Sequence, residues 1–161
     1  MPDTRQLNSD EWRLLRKLRL SALAESPDSI LATHDIEKNY RESEWRGEFA
    51  RGDWHVGTLN GAVVGLVGVT REDGMTHEEC YLEYIWIAAG LRGSGFATQM
   101  MTQVLDGLRK SGVRTTYLWV MDGNETAVKF YTRLGFRTTD ERHAIDARPG
   151  RSEERFRKDL E

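Results

Sequence analysis

The chain has 161 residues, of which 39% are apolar and 30% charged. This length and composition are typical of one soluble domain with a sizeable core. The formal net charge of −3 disfavours a nucleic-acid-binding protein, which usually carries a basic face. No apolar run approaches the roughly 20 residues of a membrane span, and charged residues interrupt the leucines of residues 1–20, so we expect no membrane segment and no signal peptide. The one cysteine, Cys80, excludes an internal disulfide, and cysteine and histidine lack the spacing of a zinc site, so we expect a cytoplasmic protein that holds no metal.

Hydrophobic periodicity predicts helices and strands along the whole chain. In chain order these are a strand at 4–7, a helix at 10–24 ended by residues 26–28, a polar helix within 35–50, a hairpin at 54–69, a strand at 80–88, a helix over 97–108, a strand at 115–121, a helix at 124–135, and strands at 136–140 and 153–160. Asn8 with Glu11 is a capping box for the first helix, and Asn60-Gly61 is the strongest short signal of a hairpin turn. The order predicts an α/β (α+β) sandwich with a largely antiparallel sheet and one βαβ crossover.

The segment 91–101, LRGSGFATQMM, places two glycines between an apolar strand and a helix. The first turn of a helix leaves backbone N–H groups unpaired, and the macrodipole adds roughly half a positive charge there. Gly93 and Gly95 would let a pyrophosphate reach these amides, and Arg92 would add a cation. A tight turn without a ligand is the other interpretation. A dinucleotide-binding fingerprint would need glycine or alanine where Thr98 stands, and no Gly-Lys-Ser/Thr of a P-loop occurs.

Three motifs in the right order resemble one family. The stretch RGSGFA (92–97) resembles the arginine/glutamine-x-x-glycine-x-glycine/alanine loop of the Gcn5-related N-acetyltransferases, the GNAT family. YLEYIWI (81–87) resembles the strand that precedes this loop, and NETAVKFYTRLGF (124–136) resembles the later helix with its phenylalanine-tyrosine pair. Ala88-Ala89-Gly90 departs from the pattern, because relatives often carry a proline there. On these motifs the sequence is identified as a member of the family over about residues 5–160.

The resemblance implies a single N-acetyltransferase domain over residues 1–161. It implies a mixed sheet of six to seven strands, flanked by about four helices, with a central strand pair that splays apart. Acetyl-CoA would be the co-substrate and a small-molecule or peptide amine the acceptor, without nucleic acid, membrane or metal; a homodimer stays open. The residues that the resemblance assigns to the coenzyme are Ile85, Trp86, Ile87, Arg92, Gly93, Ser94, Gly95, Phe96, Ala97, Asn124 and Tyr131. Asn124 also reads as the cap of its helix.

Glu83 is the lone charge in an apolar strand, and at a period of two residues it shares a face with Ile85 and Ile87. A buried unpaired carboxylate costs several kcal/mol, so we expect it to be paired, protonated or at a cleft. It is either an ordinary strand-end glutamate or a general base. An alkyl amine with a pKa of about 10.4 is only about one part in 2,500 neutral at pH 7, so a base would assist its attack on a thioester.

Tyr131 is either a core aromatic with a hydrated hydroxyl or, by the resemblance, the general acid that protonates the departing thiolate. Two functions follow and stay open: an N-acetyltransferase that works by direct attack in a ternary complex, or a non-catalytic acyl-CoA-binding module. A transferase of longer acyl chains is a third. Cys80 reads as a small core residue, not a nucleophile. An acidic stretch, which resembles a region bordering the acceptor in the family, hints at a cationic amine; its members are Asp28, Asp35, Glu37, Glu42 and Glu44.

Overall fold

Seven strands form one sheet in the computed structural model, which describes residues 2–25, 34–145 and 149–161. The strands are β1 Asp3–Gln6, β2 Gly52–Leu59, β3 Ala62–Thr70, β4 Glu79–Ile87, β5 Thr115–Met121, β6 Arg137–Ala144 and β7 Ser152–Asp159. The α-helices of the described residues are α1 Trp12–Glu25, α2 His34–Glu37, α3 Glu42–Arg51, α4 Phe96–Lys110 and α5 Glu125–Arg133. None of the described helices combines the length and the apolar character needed to cross a membrane.

The strand order is β1-β2-β3-β4-β5-β7-β6, and every neighbouring pair is antiparallel except β4 and β5. Helix α4 makes the crossover that joins this parallel pair, as parallel strands require. The predicted hairpin is confirmed: Asn60 and Gly61 have φ values of 51° and 81°, which a two-residue primed turn needs. The predicted mixed, largely antiparallel sheet is therefore confirmed.

Two helix layers cover the sheet. On one face α4 and α5 pack on an apolar core that includes Met100, Val104 and Leu118; we name this the α4/α5 layer. On the other face α1 and α3 pack around Trp45 and Trp54, the α1/α3 layer. The sheet has little room under α4, because a Cβ at Gly57 or Gly65 would lie 2.6 or 2.5 Å from the sulfur of Met100.

The predicted helix within residues 35–50 is broken into α2 and α3. The backbone N–H of Arg41 donates to the Glu44 carboxylate at 2.6 Å, which stabilises a new helix start. This break was not visible in the periodicity because Arg41 is not a usual capping residue. The predicted capping box of the first helix is confirmed by Asn8 and Glu11, while its predicted end at 26–28 lies outside the described residues.

A buried arginine holds the α1/α3 layer together. Arg19 is 2% exposed and pairs with Glu37 at 2.6 Å and with Glu48 at 3.0 Å. It also donates to the hydroxyl of Tyr84 on β4 at 2.9 Å. Its guanidinium carbon lies 4.1–5.2 Å from the ring centroids of Trp45, Trp54 and Tyr84. These contacts compensate for the desolvation of the charge, which would otherwise be prohibitive.

Replacement of Arg19 should therefore destabilise the protein. Arg19→Met keeps apolar volume but leaves the carboxylates of Glu37 and Glu48 without their buried partner, and we expect a loss of about 3–5 kcal/mol in the free energy of unfolding. Urea denaturation measures this value. Lys17→Met on the exposed side of the same helix is the control, with an expected change within about 0.5 kcal/mol. Equal stability of the two variants would contradict this account of the layer.

Candidate active site

The parallel strands β4 and β5 are joined only at their first residues. Their pairs are Glu79 with Thr115, Cys80 with Thr116 and Tyr81 with Tyr117. Beyond them β5 stays paired with β7, and β4 with β3, so the facing edges of 82–87 and 118–121 are not paired with each other. The predicted splayed strand pair is confirmed. An open backbone edge of this kind can pair with an extended ligand, as an added strand would.

A β-bulge lies in β4 at the point where the strands part. Leu66 of β3 faces Trp86 and Gly68 faces Glu83, so that a single β3 residue opposes both Tyr84 and Ile85. Tyr84 has a φ of 53°, a left-handed conformation that is strained for a tyrosine.

The bulge changes the face on which Glu83 lies. Ile85 and Ile87 pack in the α4/α5 layer, whereas Glu83 contacts Arg51 of α3 and Tyr84 packs in the α1/α3 layer. The prediction that Glu83 shares a face with Ile85 and Ile87 is therefore wrong. The prediction fails because the extra residue of the bulge shifts the alternation of side chains by one position, so that Glu83 before the bulge and Ile85 after it face opposite sides of the sheet.

A pocket of about 400 Å³ passes through the sheet where the strands part. The residues that line it are Glu72, Tyr81, Leu82, Glu83, Tyr84, Ile85, Leu118, Trp119, Tyr131, His143 and Glu153. We name it the through-sheet pocket. It brings Tyr131 of α5 and Glu83 of β4, the two candidate catalytic residues, to one cavity.

Tyr131 enters the through-sheet pocket from the α4/α5 layer. Its ring packs edge-on against Phe130 and Phe136, with ring centroids 5.2 and 5.9 Å apart. The hydroxyl has no hydrogen-bond partner within residues 2–25, 34–145 and 149–161. Burial raises the pKa of the phenol above its ordinary value, because desolvation disfavours the phenolate. The Tyr131 hydroxyl is therefore protonated and can donate a hydrogen bond to a ligand, because no acceptor in this part of the chain bonds to it.

Glu83 is held at the wall of the through-sheet pocket by Arg51. Its side chain is 34% exposed, and its Oε1 accepts from Arg51 Nη1 at 2.5 Å. Of the three expected states, paired, protonated or at a cleft, the structure shows this carboxylate paired and at the wall of a cleft. Its Oε2 has no donor among the described residues, so one oxygen can still accept a proton. Glu79, the next acid along the strand, accepts from the Tyr117 hydroxyl at 3.3 Å and does not line the pocket.

The glycine loop follows β4 directly. Gly93 and Gly95 have φ values of 81° and 87°, and a Cβ at either position would meet nothing within 4 Å. Glycine is therefore needed for its backbone conformation, and the space beside it is open. Among the described residues the amides of Gly93, Gly95, Ala97 and Thr98 have no acceptor. Free N–H donors at the start of a helix are of the kind that can bind an anion.

Comparison with known proteins assigns the family. Residues 9–136 match the model of the Acetyltransferase (GNAT) family. The chain belongs to this family. It is 32% identical over 87 residues to an uncharacterized N-acetyltransferase of Methanocaldococcus jannaschii, a match that covers 48% of this chain but only 36% of that relative's length.

Solved structures share the GNAT fold. The acetyltransferase of the GNAT family from Streptococcus pneumoniae matches over 100% of both chains with a TM-score of 0.78 and 18% identity. The protein yncA of Salmonella typhimurium, solved with its cofactor acetyl-CoA, matches over 100% of this chain and 95% of its own with a TM-score of 0.77 and 12% identity. At these identities the likeness establishes the fold.

Sequence reasoning missed Glu25, which this GNAT chain places beside the loop. Its carboxylate accepts from Trp86 Nε1 at 2.9 Å and from Arg92 Nη2 at 3.4 Å. Arg92 Nε also donates to the Ile87 carbonyl at 3.3 Å. The cation predicted for a pyrophosphate is thus paired with a carboxylate and held against the end of β4. No local signal marks Glu25, because the contact joins the end of α1 to a loop 67 residues away.

Asn124 and Cys80 have the structural roles that the sequence predicts. The Asn124 side chain accepts from the Ala127 N–H at 3.2 Å and caps α5. Burial raises the pKa of the Cys80 thiol to about 11, so it stays protonated near neutral pH. Within the described ranges no group of three His, Cys, Asp or Glu side chains is placed to hold a metal ion.

The predicted acidic stretch does not border the through-sheet pocket. Asp28 lies outside the described residues, and the other members are bound locally: Asp35 to Lys38, Glu42 to Arg46, Glu37 to Arg19 and Glu44 to the backbone of Arg41. Among the described residues, the carboxylates that line the pocket are those of Glu72, Glu83 and Glu153. Glu72 and Glu153 were missed because they come from a loop after β3 and from β7, which only the tertiary fold brings together.

Proposed function

We propose that this GNAT protein, acting as a single domain over residues 1–161 in the cytoplasm, transfers an acetyl group from acetyl-CoA to a primary amine. The amine attacks the thioester directly in a ternary complex. The observation that carries the proposal is the through-sheet pocket, which joins an unoccupied phenol donor, Tyr131, to a carboxylate on the opposite face, Glu83. A pure binding protein needs neither group.

The coenzyme fits the features at the end of β4. The free amides of the glycine loop suit a pyrophosphate, with Phe96 and Ser94 completing the turn through the 3.3 Å bond from the Phe96 N–H to Ser94 Oγ. The open edge of β4 around Ile85, Trp86 and Ile87 suits the amides of the pantetheine arm. The Asn124 side-chain NH2 has no acceptor in the described ranges and can donate to the same arm.

The thioester supplies an acyl group that is activated toward an amine. The amine nitrogen must first lose a proton, which Glu83 Oε2 accepts directly or through water. As the new C–N bond forms and the C–S bond breaks, the Tyr131 hydroxyl donates its proton to the departing sulfur. The raised pKa of Tyr131 keeps that proton in place until negative charge develops on the sulfur.

A thiol-release assay tests the function. Purified protein is mixed with acetyl-CoA and a panel of amines, and mass spectrometry identifies the acetylated product. Acetylation of an amine together with thiol release supports the transferase. Calorimetric binding of acetyl-CoA without acetylation of any amine would favour the non-catalytic acyl-CoA-binding module instead, and faster turnover of longer acyl thioesters would replace acetyl-CoA as the donor.

The glycine loop should govern coenzyme affinity. Gly95→Trp fills the open space beside the free amides, and we expect acetyl-CoA to bind at least about tenfold more weakly, since anions bind at such amides through close approach. Gly95→Ala is the matched control because it imposes the same strain of about 1–2 kcal/mol without the bulk. Calorimetry measures both. Equal affinity of folded Gly95→Trp and wild type would remove the loop from the coenzyme site.

Tyr131→Phe should keep coenzyme affinity and lose turnover. The substitution removes only the hydroxyl, so the ring still packs on Phe130 and Phe136. We expect turnover to fall by about 10²- to 10⁴-fold, the usual range for a positioned proton donor. Tyr40→Phe, outside the pocket, is the control and should match wild type. Turnover of Tyr131→Phe within about twofold of wild type would exclude this hydroxyl as the acid.

Glu83→Gln should acetylate slowly at pH 7 while it folds and binds the coenzyme. The amide keeps the shape of the side chain but cannot take a proton. Between pH 7 and pH 9 part of the rate should return, because the neutral fraction of an alkyl amine with a pKa of about 10.4 rises by roughly 100-fold. Glu79→Gln in the same strand is the control. A wild-type rate and pH profile in Glu83→Gln would refute the assignment.

A further inference from the structure

The through-sheet pocket differs in chemistry between its two ends. At the α4/α5 end, Tyr131 is surrounded by the apolar side chains of Leu82, Ile85 and Leu118. The opposite end is polar and aromatic; its residues are Glu72, Tyr81, Glu83, Tyr84, Trp119, His143 and Glu153. Any acceptor that reaches Tyr131 through this opening has its body among these side chains.

The charge at the polar end is negative. Glu72, Glu83 and Glu153 line the pocket, and no lysine or arginine among the described residues does, in a chain with 23 such residues. Glu83 is balanced by Arg51 behind it, and Glu153 lies 2.5 Å from the His143 ring nitrogen. The Glu72 carboxylate forms no ion pair within the described ranges, and its backbone N–H contacts the Met75 sulfur at 3.5 Å. A cation entering this end therefore meets the unpaired charge of Glu72, with the Glu153 carboxylate held beside the His143 ring.

The aromatic wall suits the same kind of group. Trp119 packs at a tilt of 39° against the His143 ring, with centroids 4.1 Å apart, beside Glu153. The ring of Tyr84 already holds a cation, because the Arg19 guanidinium lies 4.1 Å from its centroid. An ammonium or guanidinium group binds favourably over a tryptophan ring, and more so beside carboxylates. Trp119 with Glu153 and Glu72 is thus a receptor for a positive charge.

This positive charge is not that of the reacting nitrogen. An amine must be neutral to attack, and Glu83 is the carboxylate proposed to take its proton; Glu72 and Glu153, which keep their negative charge, would instead hold an amine as an ammonium ion. The apolar end near Tyr131 favours the neutral amine for the same reason that burial disfavours any charged group. The two ends therefore serve two different groups of one acceptor.

We propose that the acceptor carries a second cationic group besides its reacting amine, as an aliphatic diamine does, and that Glu72, Glu153 and Trp119 bind this second group. The proposal rests on the proposed function, because it names the acceptor of the same site. It makes the polar end of the pocket the part that determines specificity.

Three amines of equal chain length test it: 1,4-diaminobutane, 1-aminobutane and 4-aminobutyrate, whose far ends are positive, neutral and negative. We expect kcat/KM to be about tenfold or more higher for the diamine than for 1-aminobutane, and lower still for 4-aminobutyrate. Added salt should reduce the preference, because it screens the exposed charges. Equal values for the diamine and 1-aminobutane, or a preference for 4-aminobutyrate, would overturn the proposal.

Two variants locate the preference. Glu72→Gln and Glu153→Gln should each lower the ratio of the kcat/KM for the diamine to that for 1-aminobutane by about 3- to 10-fold. Glu78→Gln removes the same charge outside the pocket and should keep the ratio. An unchanged ratio in both pocket variants would show that these carboxylates do not bind the second cation.

Calorimetry of the three amines with coenzyme A-saturated protein measures the same preference without turnover. Preferential diamine binding without acetylation of any amine would support the binding site for the second cation and contradict the proposed acetyl transfer. Acetylation of 1-aminobutane without preferential diamine binding would support the proposed acetyl transfer and contradict the binding site for the second cation. The two claims can therefore fail separately.

Discussion

The candidate site exists because β4 and β5 part after three residue pairs, so that beyond Tyr81 and Tyr117 their backbones are not hydrogen-bonded to each other. All seven residues of β5 pair with β7, while β4 is fixed to β3 on both sides of its bulge. Each strand thus satisfies one edge and presents the other to the gap. Buried backbone groups without partners are costly, so water or an extended ligand must occupy this gap. The free N–H groups at the start of α4 lie near this gap, because the loop that contains them connects the open end of β4 to α4.

The shape of the gap is tied to the buried charge of Arg19. A tyrosine with positive φ stores strain of about 1–3 kcal/mol, which persists only when its surroundings hold it. Arg19 donates to the Tyr84 hydroxyl and covers its ring, and burial raises the pKa of Tyr84 to about 12, so that hydroxyl stays protonated. From Arg19 the ion pairs continue through Glu48 and Arg51 to Glu83. Contacts that start from Arg19 in the α1/α3 layer therefore hold both Tyr84 and Glu83 in the wall of the through-sheet pocket.

Local signals made much of this fold predictable. Asn60-Gly61 needs no distant partner to turn, and the apolar stripe of α4 records the face that it buries. The bulge at Tyr84 left no such record, because β4 is apolar on both faces and its alternation cannot reveal a change of phase. Tyr131 and the glycine loop were predicted from motif spacing. Their free donors, and the partners of Glu83 and Arg92, come from elements far apart in sequence and required the structure.

The sheet separates two environments that the proposed attack of an amine on a thioester would use together. The buried side, where water is scarce, keeps the Tyr131 hydroxyl protonated, whereas charged substrate groups bind best where carboxylates and water are near. One continuous sheet would keep these environments apart. Where β4 parts from β5, the two environments are connected across the thickness of one sheet. The reacting nitrogen of the proposed acceptor can then lie on the apolar side while the rest of the acceptor stays on the charged side. The bulge strengthens this division, since it turns Glu83 away from Ile85 and Ile87 toward the charged side.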